Sequence, residues 1–221
     1  MTITKFENAT TTKFKEACAY CGYHDAISWK LSGLGQLSLL IGEGMDVDST
    51  VLEIGAGCLI TGFWLLPLVA EYCFIEPNTW LVEAAPHYQL KHLTKMSSRT
   101  DFLFGGVAFN PQFDYIFSHS VLSHASDSQL QQLMSAISKQ LTSTGVGLVS
   151  LRICDDNDNG RPAIHSYHAD WSYPDSRFFT SAMVEEAASA AGLRLEWRPD
   201  WRARMIAMND NHNHDWIRLT K

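Results

Sequence analysis

The sequence offers little that marks a secreted, membrane-spanning or nucleic-acid-binding protein. Its 17 Lys and Arg are outnumbered by 24 Asp and Glu, and the formal net charge of −7 gives no attraction for nucleic acid or an anionic membrane. The start MTITKFENAT lacks the apolar segment of a secretory signal. The longest apolar run, residues 58–70, is too short to cross a bilayer and contains Pro67. We therefore expect a cytoplasmic protein with neither nucleic acid nor membrane as a partner; its oligomeric state stays open.

Cysteine is too scarce and too scattered for a disulfide framework. The count of five is odd, and the positions lack the paired spacing of a small secreted domain. Cys18 and Cys21 form a C-x-x-C, a spacing found in redox and metal sites. No second C-x-x-C or matched pair of histidines completes a zinc site, however. We predict a reducing compartment, a packed pair at Cys18 and Cys21, and no metal.

The composition is that of an ordinary globular chain. Hydrophobic residues make up 46% and charged residues 19% of the 221 positions, which is enough for one substantial core. We predict a single domain with a helical lead-in, a cofactor-binding core, a substrate loop and a C-terminal part with a helix and strands. These four parts cover residues 1–48, 49–153, 154–179 and 180–221.

Short apolar segments alternate with segments of helical periodicity, which is typical of a doubly wound, mostly parallel α/β sheet. The predicted strands cover residues 50–54, 72–75, 101–104, 113–118, 145–153, 193–197 and 216–220. Helices are predicted over residues 12–28, 30–41 and 59–70. Ser126 and Gln129 predict a capping box for a helix that ends near residue 141. Thr180 and Gly192 predict the two ends of the last helix.

The segment VLEIGAGCLITGFWLLP, residues 51–67, ends an apolar strand on an acid and a pair of glycines. In a doubly wound sheet this turn faces the ligand crevice, and glycine lets the backbone approach a ligand closely. NAD or FAD requires G-x-G-x-x-G, but Ile60 stands at the third glycine position, and no P-loop motif is present. Glu53, two residues before Gly55, would repel a pyrophosphate and attract an ammonium or sulfonium group. The turn from Gly55 to Gly57 therefore predicts S-adenosylmethionine as the cofactor.

A second acid follows the second predicted strand. Glu76 comes 21 residues after Gly55. A carboxylate at this position can accept hydrogen bonds from both ribose hydroxyls of an adenosyl group. The glycine turn and Glu76 together favour an adenosyl cofactor more strongly than either feature alone.

Four segments of the sequence, VLEIGAG, CFIEPNTWLVEA, FDYIFSHSVLSHAS and GVGLVSLRI, resemble the class I S-adenosylmethionine-dependent methyltransferases when taken in this order. The resemblance covers residues 50–153, and the last helix and strands fit the family's C-terminal hairpin. It implies the class I methyltransferase fold: a seven-stranded, mostly parallel, Rossmann-like sheet with an antiparallel C-terminal hairpin. It also implies methyltransferase activity.

The resemblance further implies which residues bind the cofactor. They are Glu53, Gly55, Ala56 and Gly57 for the methionine part, Glu76, Pro77 and Asn78 for the ribose, Gly106 and Val107 for the adenine, and the backbone of His119 for the amino group. In relatives a leading segment closes over the cofactor, and Tyr23 is the candidate here. Leu59 replaces the family's third glycine, and Gly106 stands where an acid often contacts the adenine.

Methyl transfer from a sulfonium is an in-line displacement, and the protein mainly has to align the reacting atoms. Where the acceptor carries a proton, a base with a pKa near neutrality helps, and histidine is the natural candidate. His119 directly follows the fourth predicted strand, and we predict it as the catalytic base. The alternative is that its ring has only a structural role.

The segment 154–179 is dense in aromatic residues and too long for a plain connection. We predict that it forms part of the acceptor site, or alternatively that its aromatic residues only cover the sheet edge. The predicted acceptor-binding residues are His124, His165, Tyr167, His168 and Trp171.

The compact domain, the acidic net charge and the aromatic loop favour a small-molecule acceptor that is methylated on oxygen or nitrogen. One alternative is a non-catalytic S-adenosylmethionine-binding protein of the same fold. Another is a protein or nucleic-acid methyltransferase, which lacks support because the sequence has no basic groove. A Rossmann oxidoreductase is disfavoured by Ile60.

Overall fold

The fold was obtained as a computed structural model, which describes residues 12–23, 25–85, 96–99, 109, 112–154, 171, 173, 175–208 and 213–221. The chain divides into two compact units. The first comprises Met1–Phe102 and Arg204–Asn211, and the second Leu103–Ala203 and His212–Lys221. The organisation as a single domain in four parts stays a prediction.

The strands of the described residues are β1 (Thr50–Ile54), β2 (Glu71–Ile75), β3 (Met96–Arg99), β4 (Phe113–Ser118), β5 (Leu141–Leu151), β6 (Arg194–Trp197) and β7 (Asp215–Thr220). The α-helices of the same residues are α1 (Thr12–Tyr20), α2 (Ala26–Gly42), α3 (Gly62–Leu65), α4 (Thr79–Ala84), α5 (Asp127–Gln140), α6 (Ser181–Ala190) and α7 (Pro199–Ala207). A short 3₁₀ helix covers Leu122–His124.

The strands form a seven-stranded sheet in the order β3-β2-β1-β4-β5-β7-β6. In the first unit, β1 pairs in parallel with β2 and β2 with β3, and Ile54 lies opposite Ile75 where β1 and β2 end. In the second unit, β4 is parallel to β5, whereas β7 runs antiparallel to both β5 and β6. The predicted fold, a mostly parallel sheet with an antiparallel C-terminal hairpin, is confirmed.

The helix caps predicted from the sequence are present. The Ser126 hydroxyl accepts a hydrogen bond from the backbone of Gln129, and the Gln129 side chain accepts one from the backbone of Ser126. The Thr180 hydroxyl accepts a bond from the backbone of Met183, and Gly192 has the positive φ, +71°, of a residue that ends a helix. Strands β1 and β4 also have the predicted bounds.

Two of the predicted helices were wrong in extent. The helix expected over residues 12–28 is interrupted because Gly22 has φ +82° and Asp25 then caps α2 by accepting a bond from the backbone of Ser28. The helix expected from residue 59 is only α3, since Leu59 has φ +57°, which a helix excludes. The third strand lies at Met96–Arg99, and the predicted 101–104 falls outside the described residues. Helix α7 was not predicted.

Helix α2 packs closely against the segment that follows β1. Gly33 is buried, and a Cβ placed on it would lie 2.6 Å from the Ile60 carbonyl oxygen and 2.7 Å from Nε1 of Trp64. Both distances are far below normal contact, so only glycine fits here. The helix is thereby held against the residues that continue from the glycine turn.

We predict that Gly33→Ala lowers the free energy of unfolding by about 1–3 kcal/mol, because a backbone carbonyl cannot yield to the new methyl group. Gly42→Ala in the same helix is the matched control: its Cβ would stand 3.3 Å from the flexible end of Arg204. That variant should be neutral or more stable by up to about 1 kcal/mol through helix propensity. Urea denaturation measures both, and equal effects would contradict the close packing at Gly33.

Candidate functional site

The turn after β1 has the backbone conformation that a glycine pair permits. Gly55 has φ +76° and Gly57 has φ +54°, both in the region that side chains disfavour. The N–H groups of Gly55 and Ala56 both donate to the Ile75 carbonyl at the end of β2, over 2.9 and 3.2 Å. The turn is therefore fixed to the neighbouring strand.

Leu59, at the third glycine position of the family's turn, keeps the left-handed backbone with φ +57°. A non-glycine residue in this conformation costs about 1–2 kcal/mol. The Leu59 side chain is completely buried, and such burial contributes about 1.5–3 kcal/mol. Burial thus offsets the strain, and the turn retains its shape without the third glycine.

The Glu76 carboxylate joins the ends of β1 and β2. Its Oε2 accepts a hydrogen bond from the Gly57 N–H at 2.7 Å, and its Oε1 accepts one from the Asn78 N–H at 2.8 Å. Burial raises the pKa of Glu76, and the two backbone donors oppose that shift. Each carboxylate oxygen retains acceptor capacity beyond its single backbone bond. A pair of neighbouring hydroxyls, such as a ribose diol, can be recognised by such a group.

The side chain of Glu53 is buried next to the glycine turn. It is 3% exposed, and its Oε2 accepts a hydrogen bond from the Tyr72 hydroxyl. Burial raises the pKa of Glu53 to about 7, although hydrogen bonds from Tyr72, Thr61 and the Gly62 backbone act in the opposite direction. A Cβ on Gly62 would lie 2.7 Å from Cζ of Tyr72, so the hydroxyl can reach Glu53 only past a glycine. A direct contact between Glu53 and the cofactor stays a prediction.

The two tyrosines of the lead-in segment, Tyr20 and Tyr23, differ in burial. Tyr23 is buried in the hydrophobic core of the first unit, and its hydroxyl lies 3.1 Å from that of Ser32. Tyr20 is instead 40% exposed, and its ring meets Trp80 edge to face with centroids 5.3 Å apart. Burial, then the nearby Cys21 and Glu76, raise the pKa of Tyr20. A contact between Tyr23 and the cofactor stays a prediction.

In the second unit, His119 lies in an aromatic cluster. Its ring stacks on Trp216 with centroids 5.5 Å apart and planes 11° from parallel. The ring of His214 meets it edge to face at 5.1 Å. His119 is half-buried, whereas Trp216 and His214 are buried. The contacts fix the plane of the imidazole that was predicted as the base.

His124 and Trp171, both predicted to bind the acceptor, come together in the second unit. Their ring centroids are 5.5 Å apart, and Tyr173 meets His124 at 4.8 Å. Nδ1 of His124 lies 2.9 Å from the Asp175 carbonyl oxygen, and because a carbonyl only accepts, Nδ1 carries the proton. Burial lowers the pKa of His124, which favours the neutral ring.

Some of the remaining predicted site residues lie in the described part of the chain, and others lie outside it. Ala56 is buried within the glycine turn, and Pro77 and Asn78 lead from Glu76 into α4. Five predicted residues lie outside the described residues: Gly106, Val107, His165, Tyr167 and His168. Among the described residues, no group of three or more His, Cys, Asp or Glu side chains is arranged to hold a metal ion. None of the helices in the described part of the chain is both long and apolar enough to span a membrane.

No family model matches the sequence. No curated protein matches it either. Solved structures do match, at low identity. The glycopeptide N-methyltransferase MtfA, complexed with S-adenosyl-L-methionine, is 16% identical with a TM-score of 0.62, over 85% of this chain and 93% of that one.

Two further solved methyltransferase structures are similar to this chain. DhpI, in complex with S-adenosylhomocysteine, is 15% identical with a TM-score of 0.57, over 97% of this chain and 89% of that one. Human N-acetylserotonin methyltransferase, in complex with S-adenosylmethionine, is 17% identical with a TM-score of 0.58; the match covers 87% of this chain but only 52% of that one. The chain has the class I methyltransferase fold. The resemblance stated from four sequence segments is thus confirmed at the level of the fold.

Within this methyltransferase fold, Glu53 should make stability depend on pH. Its folded pKa of about 7 lies above the ordinary value of 4.5. The stabilisation is therefore fully present below pH 4.5 and is lost as the pH rises to about 7. The difference between the folded and unfolded pKa corresponds to about 3 kcal/mol in the free energy of unfolding.

We predict that Glu53→Gln loses less stability than the wild type between pH 5 and pH 8, because glutamine does not ionise. Urea denaturation at the two pH values measures this difference. Glu186→Gln on the exposed face of α6 is the control and should keep the wild-type dependence. If Glu53→Gln showed the same loss as the control, the raised pKa of Glu53 would be refuted.

Proposed function

We propose that the protein is an enzyme that transfers the methyl group of S-adenosylmethionine to an oxygen or nitrogen atom of a small molecule. The observation that carries this proposal is the Glu76 carboxylate, held by Gly57 and Asn78 where β1 and β2 end. In the class I methyltransferase fold, such a carboxylate beside a glycine turn suits the ribose hydroxyls of the cofactor. The solved structures of MtfA, DhpI and N-acetylserotonin methyltransferase, each with an adenosyl ligand, support it.

The chemistry makes modest demands on the chain. The acceptor atom attacks the methyl carbon, the carbon–sulfur bond breaks, and its electron pair goes to sulfur, which loses its positive charge. The protein has to bind and orient the cofactor, and alignment of this kind supplies up to about 7–11 kcal/mol in favourable cases. We assign binding of the ribose to Glu76 and close backbone approach to the turn from Gly55 to Gly57.

A small aromatic or polar acceptor fits the side chains of the second unit. His124, Trp171 and Tyr173 form an aromatic group with a neutral imidazole at its centre. Flat apolar rings around one polar group are typical of small-molecule sites. Of the similar solved structures, MtfA is named as a glycopeptide N-methyltransferase and another as an N-acetylserotonin methyltransferase. The acidic net charge and the free cysteines agree with the predicted cytoplasmic setting.

We assign the role of base to His119. Its stacking on Trp216 would hold the imidazole in one plane, so that a proton could pass from the acceptor to a ring nitrogen without a search for the correct orientation. Its backbone would contact the amino group of the cofactor, as the family resemblance implies. His124, with Nδ1 bound to a carbonyl, is assigned to binding of the acceptor.

The cofactor assignment predicts a selective thermal shift. S-adenosylhomocysteine at about 100 times its Kd should add about 2.7 kcal/mol to the stability of the folded state, whereas NAD should add nothing. Differential scanning calorimetry with each ligand separates the two. A shift with NAD alone would support an oxidoreductase instead. Binding of S-adenosylhomocysteine without turnover of any oxygen or nitrogen acceptor would support the non-catalytic alternative.

The ribose assignment predicts that Glu76→Ala weakens the binding of S-adenosylhomocysteine by about 10- to 100-fold, since hydrogen bonds to a charged group contribute about 1.5–3 kcal/mol. Isothermal titration calorimetry measures the affinity, and thermal melting confirms that the variant is folded. Glu186→Ala on α6 should bind as the wild type does. An affinity within a few-fold of the wild type would remove Glu76 from the site.

The base assignment predicts that His119→Ala lowers kcat by about 10²–10⁴-fold for an acceptor that must lose a proton. Its affinity for S-adenosylhomocysteine should not change, because the backbone contact is retained. His124→Ala should mainly raise the KM of the acceptor. Steady-state kinetics with radiolabelled S-adenosylmethionine distinguish the two, and unchanged turnover in His119→Ala would leave the histidine with a structural role.

A further inference from the structure

Three of the five cysteines meet beside the glycine turn. Cys18 lies on α1, Cys21 lies in the turn that follows it, and Cys58 lies in the glycine turn itself. Cys18 and Cys58 are buried in the same core cluster, and Cys21 packs against that cluster. All three are free thiols. Segments far apart in the sequence thus bring their sulfurs to the turn proposed to bind the cofactor.

Cys21 lies close to the residue that precedes Cys58. A Cβ built on Gly57 would stand 3.1 Å from the sulfur of Cys21, and Cys58 is the next residue along the chain. The neighbouring thiols of Cys18 and Cys21, and then burial, raise the pKa of Cys58 well above its usual value. Cys58 is thus kept as a protonated thiol near Cys21.

Cys21 differs from the other two in its access to solvent. It is half-buried, whereas Cys18 and Cys58 are buried. A small oxidant from solution therefore meets Cys21 first. The side chains near the cluster do not make it a metal site, because no group of metal-binding residues is present among the described residues. A solvent-accessible thiol beside a buried thiol has the arrangement of a redox-sensitive pair.

We propose that this cluster is an oxidation site at which a hydroperoxide converts Cys21 and Cys58 into a disulfide that weakens binding of the cofactor. The effect on the cofactor rests on the proposed function, whereas the disulfide itself does not. Cys18 is assigned no bond: a link from Cys18 to Cys21 would stay within the lead-in segment and leave the glycine turn unconstrained.

The reaction balances with hydrogen peroxide as the oxidant. The sulfur of Cys21 attacks one peroxide oxygen, the O–O bond breaks, and Cys21 becomes a sulfenic acid while one water leaves. The sulfur of Cys58 then attacks the sulfur of Cys21. The S–S bond forms, the S–O bond breaks, and the hydroxyl leaves with the Cys58 proton as a second water. The two thiols lose two electrons in total, and the peroxide gains them.

The disulfide would act on the cofactor through the backbone. An S–S bond is about 2.05 Å long, much shorter than a non-bonded contact between two sulfurs, so the two segments must draw together. The movement falls on the glycine turn, because Cys21 lies beside Gly57. The Gly57 N–H, which holds the Glu76 carboxylate at 2.7 Å, moves with the turn. The ribose contact proposed for Glu76 is then lost or misplaced.

The experiment treats the purified full chain with hydrogen peroxide, blocks the remaining thiols and maps disulfides by mass spectrometry. Isothermal titration calorimetry then measures the affinity for S-adenosylhomocysteine before oxidation, after it, and after reduction with dithiothreitol. We expect a crosslink between Cys21 and Cys58, a Kd at least ten-fold higher after oxidation, and recovery on reduction. A crosslink between Cys18 and Cys21, no crosslink, or an unchanged Kd would overturn the proposal.

Variants make the result specific. Cys21→Ser should form no crosslink to Cys58, and its affinity should be the same before and after peroxide. Cys154→Ser, in the second unit, should respond to peroxide as the wild type does. If the reduced wild type does not bind S-adenosylhomocysteine, the proposed function fails and the cofactor effect fails with it, while disulfide mapping still decides whether the oxidation site exists.

Discussion

The site depends above all on one carboxylate bound by two backbone N–H groups. Glu76 directly follows β2, and its oxygens accept from Gly57 in the turn after β1 and from Asn78 at the start of α4. One buried side chain therefore fixes three backbone segments at the edge where parallel strands end. Loss of this group would remove the acceptor of two part-buried backbone donors, which lowers stability. The same group is the proposed ribose ligand, so binding and local structure cannot be separated here.

A second buried carboxylate supports the first. Glu53 accepts a hydrogen bond from the hydroxyl of Tyr72. The Tyr72 side chain can reach Glu53 only because Gly62 has no side chain. Glu53 thus connects β1, β2 and α3 below the glycine turn. Burial raises the pKa of both acids. A cofactor that carries positive charge would favour the ionised form of either acid, so the protonation of these residues and cofactor binding should be linked.

The sequence allowed the fold to be predicted because its signals are local. An apolar strand followed by G-x-G, an acid after the next strand, and a Ser-x-x-Gln cap each act within a few residues. The interruption between α1 and α2 was missed because it depends on the positive φ of Gly22 and on a cap at Asp25. The contacts of His119 with Trp216 join residues almost a hundred positions apart, and no local pattern reveals them.

At the third position of the glycine turn, the backbone conformation matters more than the residue type. Leu59 replaces the family's third glycine, the residue type that adopts the left-handed backbone most readily. Leu59 nevertheless adopts φ +57°, in the left-handed region that favours glycine, and its side chain is wholly buried. The gain from that burial, about 1.5–3 kcal/mol, matches or exceeds the strain of about 1–2 kcal/mol. The turn therefore keeps its shape by a different balance of forces, and the substitution is no argument against catalysis.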